Sequence, residues 1–254
     1  MKYTQALSAE YARLWATMSV RAERVPAANT AARRIIANKP TYLAIERLTT
    51  VPWWVVALIH TMECGGNFAL SIAQGDPWNR VSVRVPKGRG PFKSFIEAAV
   101  DALGIDGTNK VTHWDVPRLC YELENYNGWG YRRYHPSVLT PYLWSYTNHY
   151  SRGKYVADGK WDPGAVSQQV GAMAILKALE TLGAVQISNR AQGPQVTPTA
   201  PLETPKLPMP PKGAKVAPRT PVAPTAPSAR FGWFSTLISA ITKALTRKPD
   251  APRL

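Results

Sequence analysis

Apolar residues recur at helical spacing along most of the first 182 residues. The first such stripe consists of Leu7, Tyr11, Leu14, Trp15 and Met18, and it predicts an amphipathic helix near the N-terminus. The same periodicity predicts further helices over residues 27–37, 42–48, 52–63, 94–103, 115–126 and 163–182. Two of them begin with start signals, because Asp162 precedes Pro163 and Thr50 lies two residues before Pro52. The pattern predicts a mainly α domain.

One segment interrupts the helical pattern. Residues 68–91 are rich in Gly, Pro and Asn, and Val alternates with Arg and Ser over residues 80–85. Alternation with a period of two is typical of a β-strand, and Gly, Pro and Asn favour turns. We therefore expect a small β-hairpin and loop inserted into the helical domain.

The C-terminal part of the chain has a different composition. Eleven prolines fall between Pro194 and Pro227, in a stretch that contains no Phe, Tyr or Trp. Such a segment buries too little apolar surface to fold, and its Pro content favours an extended chain. We therefore divide the chain into a domain at 1–189 (N-terminal helices at 1–48 and a motif-bearing core at 49–184), a disordered Pro-rich linker at 190–229 and a tail at 230–254.

The charge follows the same division. Residues 1–190 contain 22 Lys and Arg against 14 Asp and Glu, a net charge of +8, whereas residues 191–254 contain 9 against 2, a net charge of +7. No zinc-finger or RNP-type pattern accompanies these cations, so we expect no nucleic-acid partner. Two cysteines and four histidines show no paired spacing, so we expect neither a disulfide-stapled module, nor a metal site, nor a cofactor.

The chain also lacks the patterns of membrane insertion and export. No apolar run approaches the length of a membrane span, and Glu10 interrupts the N-terminal stretch where a signal peptide needs an apolar core. We expect synthesis in the cytoplasm and a monomeric protein.

The tail is apolar and basic. Phe231, Phe234, Leu237, Ile238, Ile241 and Leu245 recur at intervals of three and four and predict a cationic amphipathic helix. A helix of about 22 Å is shorter than the roughly 30 Å hydrocarbon core, so we expect it to lie on an anionic membrane or lipopolysaccharide. A helix that docks on the domain or mediates self-association is the alternative. The residues expected to contact the membrane are Phe231, Trp233, Phe234, Lys243, Arg247 and Lys248.

The first candidate for chemistry is Glu63. It lies at the end of the most apolar predicted helix, and Gly65 and Gly66 stop that helix directly afterwards. A carboxyl group in an apolar setting beside helical carbonyl groups has a raised pKa, which suits a general acid that must stay protonated near neutral pH. A glutamate that merely marks the exit of the helix into solvent is the alternative.

Further polar and aromatic residues follow Glu63. Asp76 lies on the predicted loop, and residues 121–161 hold eight Tyr and three Trp mixed with Asn and Ser. Aromatic faces beside amide and hydroxyl groups suit sugar rings, which stack on the faces and hydrogen-bond at their edges. Many of these rings can equally belong to the core. The residues expected to bind a glycan are Tyr126, Asn127, Tyr142, Trp144, Asn148 and Tyr155.

The motifs HTMECGGNF, AQGDPWN, VPKGRGPF, ENYNGWGY, PYLWS and KYVAD occur in this order between residues 60 and 158. With them the chain resembles phage and prophage endolysins of the lysozyme superfamily over roughly residues 45–182. The resemblance implies a two-lobed, lysozyme-like helical fold and cleavage of the bond between N-acetylmuramic acid and N-acetylglucosamine in peptidoglycan. It also implies cell lysis by an enzyme that reaches the periplasm and wall once the membrane is permeabilised.

The resemblance also implies roles for particular residues. Glu63 takes the place of the catalytic acid, and Tyr126 and Asn127 that of a substrate-groove motif in lytic transglycosylases. In a lysozyme, Asp76 would be the second catalytic carboxylate. In a lytic transglycosylase, the substrate's own N-acetyl and 6-hydroxyl groups would close a 1,6-anhydro ring without it. The family usually has Ser after the catalytic Glu, whereas here Cys64 follows, and a thiol is a poorer donor.

Two further possibilities stay open from the sequence. The chain could be a non-catalytic glycan-binding protein that kept the groove without the chemistry, or a polyanion-binding protein that uses its net charge of +15. His60 lies about one helical turn before Glu63, and we expect it to have a structural or supporting role.

Overall fold

The computed structural model describes residues 1–73, 75–84 and 86–189. The predicted linker and tail, with the six residues expected to contact a membrane, lie outside the described residues. About half of the described part is α-helical, and its one sheet has two strands. The helices are α1 (Gln5–Ala16), α2 (Val25–Ala37), α3 (Lys39–Thr49), α4 (Trp53–Cys64), α5 (Phe95–Asp106), α6 (Val116–Asn127), α7 (Gly130–Tyr134), α8 (Pro141–Trp144) and α9 (Ala172–Thr181).

The mainly helical class and most of the predicted helices are confirmed, with one clear exception. The last helix begins at Ala172, nine residues after its predicted start. Asp162 does not cap a helix, because its Oδ1 accepts hydrogen bonds from the backbone N–H groups of Gly164 (2.8 Å) and Ala165 (3.1 Å). An Asp that binds the backbone two and three residues ahead forms a turn, so the Asp-Pro pair marks a loop here.

The β-structure also differs from the prediction. The two strands are β1 (Lys154–Ala157) and β2 (Lys160–Asp162), which pair antiparallel. Among the described residues of 68–91 there is no strand. Their two arms are nevertheless tied together, since the Ser82 N–H donates to the Arg89 carbonyl (2.8 Å) and the Phe92 N–H donates to the Trp78 carbonyl (2.9 Å). The predicted hairpin is therefore a closed loop without regular strands.

Helix α4 runs through the core. Val55, Val56 and Leu58 are fully buried, and the helix packs against α2, α3 and α9. A helix that is apolar on all sides must be enclosed by other elements. Among the described residues, no single helix is long and apolar enough to cross a membrane, and α3 with α4 meets that measure only as a pair bent by 113°.

A buried ionic cluster joins the N-terminal helix to the second half of the domain. Glu124 on α6 accepts hydrogen bonds from the Tyr11 hydroxyl and from Arg132 Nε (2.9 Å). Arg132 also pairs with Glu10 at 3.1 Å. The guanidinium supplies the charge that a buried carboxylate requires, so α1, α6 and α7 are held together at one point.

Gly171 fixes the distance between α8 and α9. A Cβ atom at this position would lie 2.5 Å from the Leu143 carbonyl oxygen and 2.6 Å from the Ser145 backbone nitrogen. Gly171→Ala should therefore lower the free energy of unfolding by about 1–3 kcal/mol, because backbone atoms cannot give way. Gly164→Ala is the matched control, since its Cβ would make only an ordinary contact of 3.5 Å. Equal denaturant midpoints for the two variants would contradict this account.

Candidate active site

Glu63 lies in the last turn of α4, where two glycines reverse the chain. Gly65 has φ 61° and Gly66 has φ 73°, a region that L side chains rarely adopt. Their N–H groups donate to the carbonyls of Thr61 (3.0 Å) and His60 (3.3 Å) and so satisfy the end of the helix. The backbone therefore leaves the core within two residues while the Glu63 side chain stays inside.

The Glu63 carboxyl group is almost completely enclosed. The residue is 7% exposed, and its Oε1 accepts a hydrogen bond from the Tyr142 hydroxyl at 2.8 Å. Its Oε2 is buried and has no hydrogen-bond partner among the described residues. Burial raises the pKa of Glu63 from 4.5 to about 8, although the Tyr142 hydrogen bond opposes part of that rise. The group is therefore a neutral acid at pH 7.

The hydrogen bond also makes the two carboxyl oxygens different. With the Tyr142 hydroxyl as the donor, Oε1 acts as the carbonyl-type acceptor and the proton of the neutral carboxyl group lies on Oε2. Oε2 is the oxygen without a partner. A buried polar atom without a partner is costly and unusual, and a proton donor that awaits an incoming acceptor is one reason to retain it. Since Oε2 is covered, an acceptor reaches it only when the covering groups shift.

Tyr142, one of the residues expected from sequence to bind a glycan, contacts Glu63. It lies on the short helix α8, and the Thr140 side chain caps this helix by accepting from the Tyr142 N–H at 3.3 Å. Burial and the Glu63 charge both raise the pKa of Tyr142 well above its ordinary value, so its hydroxyl remains a donor. In this arrangement Tyr142 orients the carboxyl group.

Tyr126 and Asn127 lie at the end of α6 beside the same site. The Tyr126 hydroxyl donates to the Ile72 carbonyl at 2.7 Å, and burial, together with the Glu63 charge, raises the pKa of Tyr126 well above its ordinary value. The Asn127 amide donates to the Thr140 hydroxyl at 3.4 Å. Tyr126 therefore connects the end of α6 to the loop after α4, and Asn127 connects it to the start of α8.

Asp76 is engaged by its own loop. Its Oδ2 accepts from the backbone N–H groups of Val83 and Arg84, both at 3.1 Å, and its Oδ1 pairs with the Arg84 guanidinium at 3.3 Å. Both oxygens therefore hold the loop in shape. The predicted role as a second catalytic carboxylate receives no support from these contacts.

Cys64 connects the helix to the loop. Its thiol donates to the Ser71 carbonyl at 3.1 Å, so it contacts the chain after the Gly turn. Burial and the Glu63 charge raise the pKa of the thiol. The group stays protonated, which suits a structural hydrogen bond and not a nucleophile.

The other residues expected to bind a glycan lie elsewhere. Trp144 is 0% exposed and belongs to the core, so its ring offers no surface for stacking. The Asn148 amide is used on both sides, as it accepts from the Ser19 N–H (2.9 Å) and donates to the Thr17 carbonyl (3.0 Å). Tyr155 packs edge-on against Tyr131 and Trp161 on the hairpin. The structure thus brings Tyr142 to Glu63 and Tyr126 near it, places Asn127 against Thr140 at the start of α8, and directs Trp144 and Asn148 to structural contacts.

Two residues support the segment around Glu63: His60, which was predicted from the sequence, and Gln169, which was not. His60 is buried, and its Nδ1 lies 2.9 Å from the Tyr42 hydroxyl, in keeping with a structural role. Burial lowers the pKa of His60 to about 4. Gln169 donates to the Met62 carbonyl at 2.8 Å. Because Gln169 lies in a loop, no periodic pattern in the sequence predicts this contact. The described residues contain no group of three His, Cys, Asp or Glu side chains that could hold a metal ion.

No family model, curated protein or solved structure matches this chain.

The enclosed acid makes stability depend on pH. Because the Glu63 pKa is about 8 in the folded protein, the unfolded chain loses this proton first as the pH rises. The contribution of Glu63 is complete below pH 4.5 and falls by up to about 1.4 kcal/mol per pH unit towards pH 8. Relative to the wild type, Glu63→Gln should therefore gain stability from pH 4.5 to pH 8 in denaturant titrations. Glu23→Gln changes an exposed glutamate and is the control, and a difference for Glu63→Gln that is independent of pH would contradict the burial argument.

Proposed function

We propose that this protein cleaves the glycosidic bond between N-acetylmuramic acid and N-acetylglucosamine in peptidoglycan, with Glu63 as the general acid. The observation that carries the proposal is an enclosed carboxyl group whose pKa is raised by burial and whose Oε2 has no hydrogen-bond partner among the described residues. The motifs around it support the same substrate, because their order resembles that of endolysins of the lysozyme superfamily. The finer fold assignment, a two-lobed lysozyme-like domain, is part of this proposal.

In the first step Glu63 Oε2–H donates its proton to the bridging oxygen. The bond between that oxygen and C1 of the muramic acid breaks, and the N-acetylglucosamine leaves with a new hydroxyl group. Positive charge develops on C1 and its ring oxygen. The Glu63 carboxylate formed in this step remains hydrogen-bonded to Tyr142, which holds it in place.

The second step can follow two routes. In the substrate-assisted route, the carbonyl oxygen of the 2-N-acetyl group bonds to C1. The 6-hydroxyl then attacks C1, releases the N-acetyl oxygen and returns its proton to Glu63, which leaves a 1,6-anhydro ring. In the hydrolytic route, water attacks C1 and a second carboxylate stabilises the charge or activates the water.

The contacts of Asp76 favour the substrate-assisted route. A second catalytic carboxylate needs an oxygen that faces the sugar, whereas both oxygens of Asp76 hold Val83 and Arg84. The enclosed site also suits a single residue that acts first as the general acid and then as the general base. Burial disfavours the Glu63 carboxylate, so once formed it is a strong base for the 6-hydroxyl proton.

Digestion of purified peptidoglycan by wild type and Glu63→Gln tests the proposal. We expect kcat to fall by about 10²–10⁴-fold in the variant, because general acid catalysis contributes on that order. Asp76→Asn is the matched control, since an amide oxygen can still accept from Val83 and Arg84, and it should lose far less activity. Equal activity of folded Glu63→Gln would remove the assignment, and glycan binding without cleavage by the wild type would indicate a non-catalytic protein.

Mass spectrometry of the released fragments separates the two routes. We expect 1,6-anhydro ends from both wild type and Asp76→Asn. Reducing ends from the wild type, together with inactivity of Asp76→Asn, would establish the hydrolytic route with two carboxylates instead.

The pH profile gives an independent check on the acid. Because Glu63 must be protonated, kcat/KM should decline above about pH 8, tenfold for each further pH unit. Initial rates on soluble glycan fragments between pH 5 and 10 measure this decline. A decline centred near pH 4.5 would mean that an exposed carboxyl group is the acid.

A further inference from the structure

A second feature lies on the loop that follows Asp76. From Pro77 to Ile96 the sequence contains five Lys and Arg and no Asp or Glu. The cationic loop, residues 80–84 and 86–89, carries four of these cations. A segment that carries only positive charges attracts a negatively charged partner.

The cationic loop is held in one shape from inside. Buried Ser82 donates from its backbone to the Arg89 carbonyl (2.8 Å) and from its hydroxyl to the Pro86 carbonyl (2.7 Å). Asp76 accepts from the next two N–H groups, and Gly90 lets the arms approach, since a Cβ there would lie 2.9 Å from the Arg80 carbonyl oxygen. The loop is therefore organised before any partner binds.

The outer face of the loop combines apolar and cationic side chains. Val81 is 54% exposed and Val83 is 74% exposed, with buried Ser82 between them, so both valines face outward. Arg84 and Arg89 pair with Asp76 and Asp101. Arg80 and Lys87 are exposed, and neither forms an ion pair with another described residue. The outward charge is therefore carried chiefly by Arg80 and Lys87.

A chain of direct contacts links this face to Glu63. The Cys64 thiol binds the Ser71 carbonyl, and the Ser71 N–H donates to the Asp76 carbonyl at 2.7 Å. The Asp76 carboxylate in turn holds Val83 and Arg84. The cationic loop is thus tied, through Asp76 and Ser71, to the residue that follows the acid at the end of α4.

We propose that the outer face of the cationic loop binds the anionic stem peptide that muramic acid carries beside the cleaved bond. The proposal rests on the proposed function and names the part of the substrate that the loop recognises. Stem peptides combine free carboxylates with alanine methyl groups. Arg80 and Lys87 fit the carboxylates, and Val81 and Val83 fit the methyl groups.

A short peptide suits this surface better than a bilayer. Two valines contribute only about 1.5–3 kcal/mol each even when fully buried, and stable membrane attachment requires more than one such weak signal. Hydrogen bonds within the loop also fix its shape, which favours a small partner of defined shape over a lipid bilayer.

The test compares intact peptidoglycan with glycan strands whose stem peptides have been removed by an amidase. We expect the Arg80→Gln/Lys87→Gln double variant to raise KM for the intact substrate about tenfold, with kcat unchanged and no effect on stripped strands. Val81→Ser/Val83→Ser should act in the same direction. Arg33→Gln/Lys110→Gln removes two exposed cations elsewhere and should leave both substrates unaffected.

Several outcomes separate this inference from the proposed function. Wild type that cleaves both substrates with equal KM overturns the stem-peptide role and leaves the function intact. If wild type cleaves neither substrate, the proposed function is wrong. Co-sedimentation of the same variants with intact and stripped peptidoglycan still measures how strongly the cationic loop binds stem peptides. Co-sedimentation that the double variant leaves unchanged overturns the inference. Weaker binding of the double variant to vesicles of anionic phospholipid, with unchanged binding to peptidoglycan, assigns the loop to a membrane instead.

Discussion

Burial of the Glu63 carboxyl group at the end of a core helix is the constraint on which the rest of the structure depends. A carboxylate at this position would be deprived of water, so the folded protein keeps the group neutral at pH 7. The apolar sides of α4 enclose its stem, Gly65 and Gly66 turn the chain away, and Tyr142 satisfies one oxygen. The other oxygen is buried without a hydrogen-bond partner among the described residues, and an arrangement with such an energetic cost is typical of a functional site.

The surroundings of Glu63 divide into parts that hold the acid and parts that shape the adjacent surface. Helix α8 delivers Tyr142, and Gly171 allows α8 to approach α9 closely enough to do so. On the other side, Cys64 and Tyr126 anchor the segment at Ser71 and Ile72 from which the cationic loop extends. Asp76 belongs to the second part, because its carboxylate organises this loop.

The sequence predicted α4 to within one residue at each end, because a strongly apolar run is bounded by Pro52 and a pair of glycines. It started the last helix nine residues too early, since the Asp162–Pro163 pair is equally a helix start and a turn, and only the contacts to Gly164 and Ala165 distinguish them. Tyr142 and Glu63 are 79 residues apart in the sequence, and their contact produces no local periodicity. The role of Tyr142 at Glu63 could therefore not be predicted from the sequence. Trp144 shows the same limit, because aromatic residues that suit a glycan also suit a core.

The central claim is that the Glu63 carboxyl group is neutral near pH 7 because it is buried. Carbon-13 NMR of the glutamate side-chain carboxyl groups, with Glu63 assigned by its absence in Glu63→Gln, measures this directly. We expect a Glu63 resonance that titrates with a pKa of about 8, well above the ordinary value of 4.5. A Glu63 resonance that titrates near 4.5 in the folded protein would contradict it.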